Sequence, residues 1–253
     1  MELTYLSLFA GIGGLDLGLD RAGWRCVGQV ERDPFCRTVL DRHWPEVDRH
    51  DDVRTTPAWW TARPRPLVHL VAGGPPCQAA SRAGHRRGAA DDRWGWPWFL
   101  DTLRVVRPRY ALMENPAALL DLDNGAAFGG ILAELAALGF DAWWSVLPAC
   151  AFGAPHTRGR LFVVASPHSV DGPARMAGWT RRPVQPSDRS ASSWADPVNG
   201  LLEAARRRRR MADGVSDRLE PARVRALGNA VVPAVAEYVG RLIATHTDHQ
   251  APR

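Results

Sequence analysis

Cys77 stands in the run GGPPCQAAS, with two prolines ahead of it and the polar Gln78 and Ser81 behind. Pro75 and Pro76 stiffen the approach and aim the thiol, which makes Cys77 a candidate nucleophile. A lone cysteine is more often a buried structural one, and Cys26, Cys36 and Cys150 read that way because they lie in apolar strand or helix patterns. Glu114 follows the apolar YALM in MENP (113–116). Partly desolvated, that carboxylate would hold or share a proton near neutrality; the plainer reading makes it a neighbour of a helix start and no more. Arg158 and Arg160 alternate in PHTRGRLFVV, so both point to one face, as a solvated strand end also would. The turn FAGIGGLDLG carries Gly11, Gly13 and Gly14, whose freedom lets a backbone come close to a ligand. Glu31 closes the next apolar run and can accept both ribose hydroxyls of a nucleoside-bearing cofactor. The loop LGNAVVP (227–233) has one carboxamide, Asn229.

These groups need a scaffold, and residues 1–166 supply its pattern. Short apolar runs at TYLSLF (4–9), CVGQV (26–30), LVHLVAGG (67–74), YALMEN (110–115), WWSVLP (143–148) and RLFVVAS (160–166) predict strands. Helical stretches fall between them: LDLGLDRAG ending at Gly23, PFCRTVLDRHW opened by Pro34, FLDTLRVV (99–106) and FGGILAELAALG (128–139). That alternation predicts an α/β fold, a mostly parallel sheet with helices on both faces. In such a sheet ligands sit beyond the carboxyl ends of the strands, where Gly11, Glu31, Cys77 and Glu114 all fall. From 167 to 219 the period fades into a stretch rich in Pro, Ser, Gly, Trp and Arg, including the basic run Arg206 to Arg210. It reads either as a disordered insert or as a small irregular lobe, since Trp179 and Trp194 are costly to leave in water. Residues 220–253 return to regularity as an apolar loop and an amphipathic helix.

Composition narrows the function classes. The 253 residues carry a net charge of +5 and are 45% hydrophobic, which excludes global disorder. No apolar run approaches the roughly 20 residues of a membrane span, and MELTYLSLFAG has no basic leader, so no membrane association and a cytoplasmic location are expected. The four cysteines form no CxxC pair, so neither a zinc cluster nor any other metal site is expected. Every cation in the Lys+Arg count of 32 is arginine. A GC-rich coding sequence accounts for most of that, yet guanidinium also suits phosphate and base edges.

The ordered set FAGIGG, VERD, DDV, GGPPCQAAS, MENP, HTRGR and GNAVVP resembles the cytosine-C5 DNA methyltransferase family, over about 3–166 and 219–243. The short form is similar to its compact phage and bacterial solitary members. The resemblance implies a Rossmann-like, S-adenosylmethionine-dependent methyltransferase fold, with 1–166 as catalytic domain, 167–219 as target-recognition lobe and 220–253 returning to the catalytic domain. It implies S-adenosylmethionine as donor, with S-adenosylhomocysteine as product. Phe9 would lie against the adenine, the Gly11 to Gly14 turn would carry the methionine end, and Glu31 would bind ribose. Asp52 with Val53 would take the adenine edge beside Pro75, and Asn229 with Val231 would close the site. Cys77 would be the nucleophile and Glu114 the partner of the cytosine edge, while Arg158 and Arg160 would fix the base and Cys77. Gln78 would meet DNA, as would Ser81, Arg82, Arg86 and Arg87 in a loop (81–93) expected to close over a flipped base. The partner implied is double-stranded DNA, acted on by a monomer, with a restriction nuclease as a conceivable companion.

The residue types suit that chemistry. A thiolate adding at C6 of cytosine breaks the aromaticity and makes C5 nucleophilic, and hydrogen bonding at N3 stabilises the developing charge. Departures are Arg32, where many members carry an apolar residue, and His156, where Gln is common. Three other readings compete. An RNA-acting relative would carry a Cys-Phe-Thr tripeptide, which is absent here. A non-catalytic DNA-binding module would keep the cofactor site alone. A dinucleotide oxidoreductase would leave Cys77 and MENP unexplained, and the third glycine of its G-x-G-x-x-G fingerprint is Asp16 here.

Overall fold

Strands β1 (Leu3–Leu8), β2 (Trp24–Val30), β4 (Leu70–Gly73), β5 (Tyr110–Pro116), β6 (Phe140–Pro148) and β7 (Gly159–Pro167) form where the apolar runs lie, in a computed structural model that describes residues 2–77, 94–168 and 221–248. With the two-residue β3 (Arg49–His50) they make one sheet in the order β3-β2-β1-β4-β5-β7-β6. Pairing is parallel from β3 through β5, while β7 runs antiparallel to both β5 and β6. The mostly parallel sheet is therefore as expected, with one reversed strand that the periodicity could not distinguish.

Helices α1 (Gly14–Arg21), α2 (Pro34–His43), α3 (Thr56–Thr61), α4 (Trp96–Val106), α5 (Ala126–Ala137), α6 (Pro221–Asn229) and α7 (Pro233–Asp248) complete the chain order. α2 starts where Asp33 accepts hydrogen bonds from the amides of Phe35 (2.9 Å) and Cys36 (3.1 Å), with Pro34 in the first turn. The sheet separates two cores, because successive strand residues face opposite ways. Leu6, Leu8, Val71, Met113, Leu161 and Val163 join α4 and α5 on one face. Tyr5, Leu70, Leu112, Phe162 and Val164 join α1 and α7 on the other. Small residues let α1 and α7 approach closely: a Cβ on Gly18 would collide with Ala236, and the Trp24 indole donates to the Gly240 carbonyl at 3.0 Å.

Two local expectations change, and two short elements are added. The third apolar run is strand only over Leu70–Gly73, since the amide of Thr4 donates to the His69 ring (3.2 Å) where a ladder carbonyl would stand. The stretch before Asn229, read as loop, is the helix α6. The short β3 and α3 have too few residues to show a period. The expectations for Gln78, Ser81, Arg82, Arg86, Arg87, the 81–93 loop and Arg206 to Arg210 lie outside the described residues, as does 169–219 of the expected lobe.

Candidate active site

The chain reverses direction across the sheet between β1 and β4, and the carboxyl ends of β1, β2, β4 and β5 open there into a cleft of about 700 Å³. Phe9, Gly11, Glu31, Asp52, Val53, Pro75, Cys77, Glu114, Arg158, Arg160, Asn229 and Val231 all line it. Strand order brings Phe9, Glu31, Pro75, Cys77 and Glu114 together, and the chain entering β7 and the junction of α6 and α7 add Arg158, Arg160, Asn229 and Val231. Gly13 and Gly14 do not face the cleft; they set the shape behind it. Gly13 is the residue before α1, at φ 81°, and a Cβ there would run into the Trp44 ring. A Cβ on Gly14 would collide with the carbonyl oxygen of Val231. Gly11 itself, at φ 58°, needs the left-handed region that glycine tolerates best.

Glu31 follows β2 directly. One carboxylate oxygen accepts the Gly11 amide at 2.6 Å and the other accepts the Asp33 amide at 2.7 Å. These two bonds fix the carboxylate between the glycine turn and the start of α2. Each oxygen retains a second acceptor position. Asp52 is tied to its own neighbour: Arg54 donates through its amide (3.0 Å) and its guanidinium (2.9 Å), which pulls the Asp52 carboxyl down to about 2.

Glu114 lies near the end of the buried stretch of β5 and is 7% exposed. Burial pushes its carboxyl up to about 6, against the opposing pull of Arg160 and Arg158. The Arg160 Nε lies 3.1 Å from its Oε1. On the neighbouring strand end, a Cβ on Gly74 would stand 3.1 Å from Glu114 Oε2, so the glycine leaves the carboxylate its room. Asn115 donates through Nδ2 to the Pro75 carbonyl (3.0 Å), and the Gly95 amide donates to the Pro76 carbonyl (3.0 Å). Together they hold the strap leading to Cys77, which is 7% exposed and outside any disulfide. Arg158 faces the same cleft as Arg160, as the alternation implied, but its guanidinium donates to the carbonyls of Gly228 (2.7 Å) and Ala230 (2.9 Å).

Sequence reasoning missed several lining residues, among them Cys36, Trp98, Asn115 and Arg225. Asn115 had a signal, since it adjoins Glu114 in MENP. Cys36, on α2 beside Asp33, is buried and its thiol is pushed up to about 12, so its assignment as a structural cysteine keeps its chemistry although it borders the cleft. Trp98 and Arg225 sit on helices whose rotation a sequence does not fix.

A family model described as C-5 cytosine-specific DNA methylase matches residues 3–192. The type II methyltransferase M.AquIA of Picosynechococcus sp. is 33% identical over 201 residues, covering 70% of this chain and 80% of its own. M2.BsuMI of Bacillus subtilis, also a type II methyltransferase, is 34% identical over 169 residues, covering 65% of this chain and 42% of its own. The chain thus spans most of the first relative but well under half of the second. Two solved structures share the fold: DNMT2 of Spodoptera frugiperda (TM-score 0.54, 22% identity, 67% of this chain and 51% of that one) and an E. coli prophage chain described as a DNA modification methyltransferase (TM-score 0.55, 23% identity, 66% and 47%). With the family model matching three quarters of its length, the chain belongs to the C-5 cytosine-specific DNA methylase family.

Proposed function

We propose that this chain transfers a methyl group to C5 of cytosine in double-stranded DNA, with Cys77 as nucleophile and S-adenosylmethionine as donor. The observation that carries the reading is one cleft lined by a buried thiol, a buried carboxyl with its pKa near 6 and a carboxylate pinned at a glycine turn. The donor set fits an adenosyl cofactor. Glu31 keeps acceptor positions for two ribose hydroxyls, Phe9, Val53 and Pro75 offer apolar surface to the adenine with Asp52 at its edge, and Asn229 and Val231 close the wall. When bound, S-adenosylmethionine supplies an electrophilic methyl group.

Cys77, as thiolate, adds its electron pair to C6 of the ring, and the C5–C6 double bond becomes an enamine-like nucleophile at C5. Glu114, protonated, donates at N3, where negative charge gathers. Arg160 holds the carboxyl of Glu114 in place by its 3.1 Å ion pair. C5 would then take the methyl group, leaving S-adenosylhomocysteine; loss of the C5 proton to a base would restore the C5–C6 double bond and expel Cys77, with the N3 proton returning to Glu114. These ring atoms lie inside a duplex, so the base must be flipped into the cleft at a cost of a few kcal/mol, roughly. Gln78 and, from the 81–93 segment, Ser81, Arg82, Arg86 and Arg87 are assigned to DNA contact, and the 167–219 segment to reading the target sequence.

The relatives' description as type II methyltransferases supports a setting in restriction-modification, in the cytoplasm of a bacterial cell. The test is methyl transfer from a labelled donor to duplex DNA and, separately, to tRNA. Label in DNA that is lost in Cys77→Ser supports the reading. Label in tRNA alone makes the chain an RNA enzyme, and label in neither makes it a binding module.

A further inference from the structure

Arg158 does not use its guanidinium in the manner that the family resemblance implies. Nη1 donates to the Gly228 carbonyl at 2.7 Å and Nη2 to the Ala230 carbonyl at 2.9 Å. Gly228 lies in the last turn of α6, where the final carbonyls have no partner inside the helix and carry partial negative charge. A forked cation placed there satisfies two acceptors at once and favours the dipole. The loop it holds is the one whose Val231 carbonyl presses on Gly14, the first residue of α1, and whose Asn229 and Val231 line the cleft. Arg160, two residues on, turns instead to Glu114.

We infer that Arg158 is a positioning residue for the donor wall: it caps α6 and clamps the 228–231 loop against the glycine turn, and so acts on methyl-donor binding rather than on the target base. This rests on the cleft's reading as a donor site. The division of labour between the two arginines follows from their partners, backbone carbonyls for one and a buried carboxylate for the other.

The test compares Arg158→Met and Arg158→Lys in S-adenosylhomocysteine affinity by calorimetry, without DNA, and in kcat and its pH profile at saturating donor. Arg158→Met removes both bonds and should weaken product binding at least tenfold or so. Arg158→Lys keeps the positive charge near Glu114 but lacks the fork. It should weaken product binding several-fold, by rough expectation, while leaving the pH profile of kcat in place. Gly14→Ala, which pushes the same loop from the other side, should mimic the loss and serves if Arg158→Met fails to fold. Normal product affinity in Arg158→Lys and Gly14→Ala, with a fall in kcat, overturns the inference. Should the wild-type chain bind no S-adenosylhomocysteine, the donor reading fails by itself. The clamp is then read from amide hydrogen exchange over 228–232, which Arg158→Lys should accelerate; unchanged exchange there overturns it.

Discussion

Glu31 and Glu114 are the same residue type at the same kind of place, just after or at the end of a buried parallel strand, and they are set up for opposite tasks. Glu31 takes two backbone amides, at 2.6 and 2.7 Å, and is thereby an acceptor of fixed direction. Glu114 is buried, with Arg160 at 3.1 Å and Arg158 also pulling on it, yet its carboxyl is pushed up to about 6, so it can carry a proton near neutrality. The difference lies in what surrounds each carboxyl. Backbone amides fix the direction of the carboxylate at the donor end, while burial favours the neutral acid at the base end. A third carboxylate, Asp16, sharpens the contrast. It is wholly buried beneath the turn, bonded to Gln29 (2.9 Å) and Ser7 (3.1 Å), pushed up to about 6, and does not face the cleft.

The contrast breaks most sharply at Glu114. Glu114→Gln keeps the shape but cannot supply a transferable proton, and turnover should fall about a thousandfold with donor affinity little changed. Equal turnover, measured by methyl transfer to DNA, would take Glu114 out of the chemistry. At Glu31 the loss should be of the other kind. Glu31→Gln weakens acceptance by one charged group, so S-adenosylhomocysteine affinity should drop up to about a hundredfold while kcat at saturating donor holds. A fall in kcat alone would erase the distinction between the two sites.

Asp16 gives the smallest effect, and it is one of stability. Its folded pKa, about 6, lies above the ordinary 3.8. A raised carboxyl stabilises the fold fully at low pH, below the unfolded pKa, and that contribution is lost as pH rises through 6. Asp16→Asn keeps an acceptor for Gln29 without the charge, and its amide can donate to the Ser7 hydroxyl in place of the bond it now accepts. It should therefore unfold later than the wild type at pH 8, by about 3 kcal/mol at most, with the gap closing near pH 4. Denaturant titrations at the two pH values check this; a gap that widens toward low pH reverses the sign and contradicts the burial argument.

How much of this is legible in the sequence follows the same division. Strand positions, the glycine turn, Glu31, Cys77 and Glu114 were readable because apolar runs and punctuating Gly and Pro mark where strands end. The parallel order puts those ends side by side. Arg158 and Arg160 were readable as a pair facing one way, but not as having different partners, because Gly228 and Ala230 lie 70 and 72 residues along the chain. Trp98 and Arg225 were hidden because a helix's periodicity marks its buried face without saying which cleft its edge borders. Asn115 could have been found, since the strap before a nucleophile needs something to hold its carbonyls, and a carboxamide stands beside Glu114.

The central claim is that the thiol of Cys77 bonds to C6 of a cytosine drawn into the cleft. A duplex carrying 5-fluorocytosine at the target, incubated with the chain and methyl donor, tests it directly, because fluorine at C5 cannot leave as a proton does. The account predicts a protein–DNA species that survives denaturation in the wild type and is lost in Cys77→Ser. Methyl transfer to ordinary cytosine with no such species, or an undiminished species in Cys77→Ser, would contradict it.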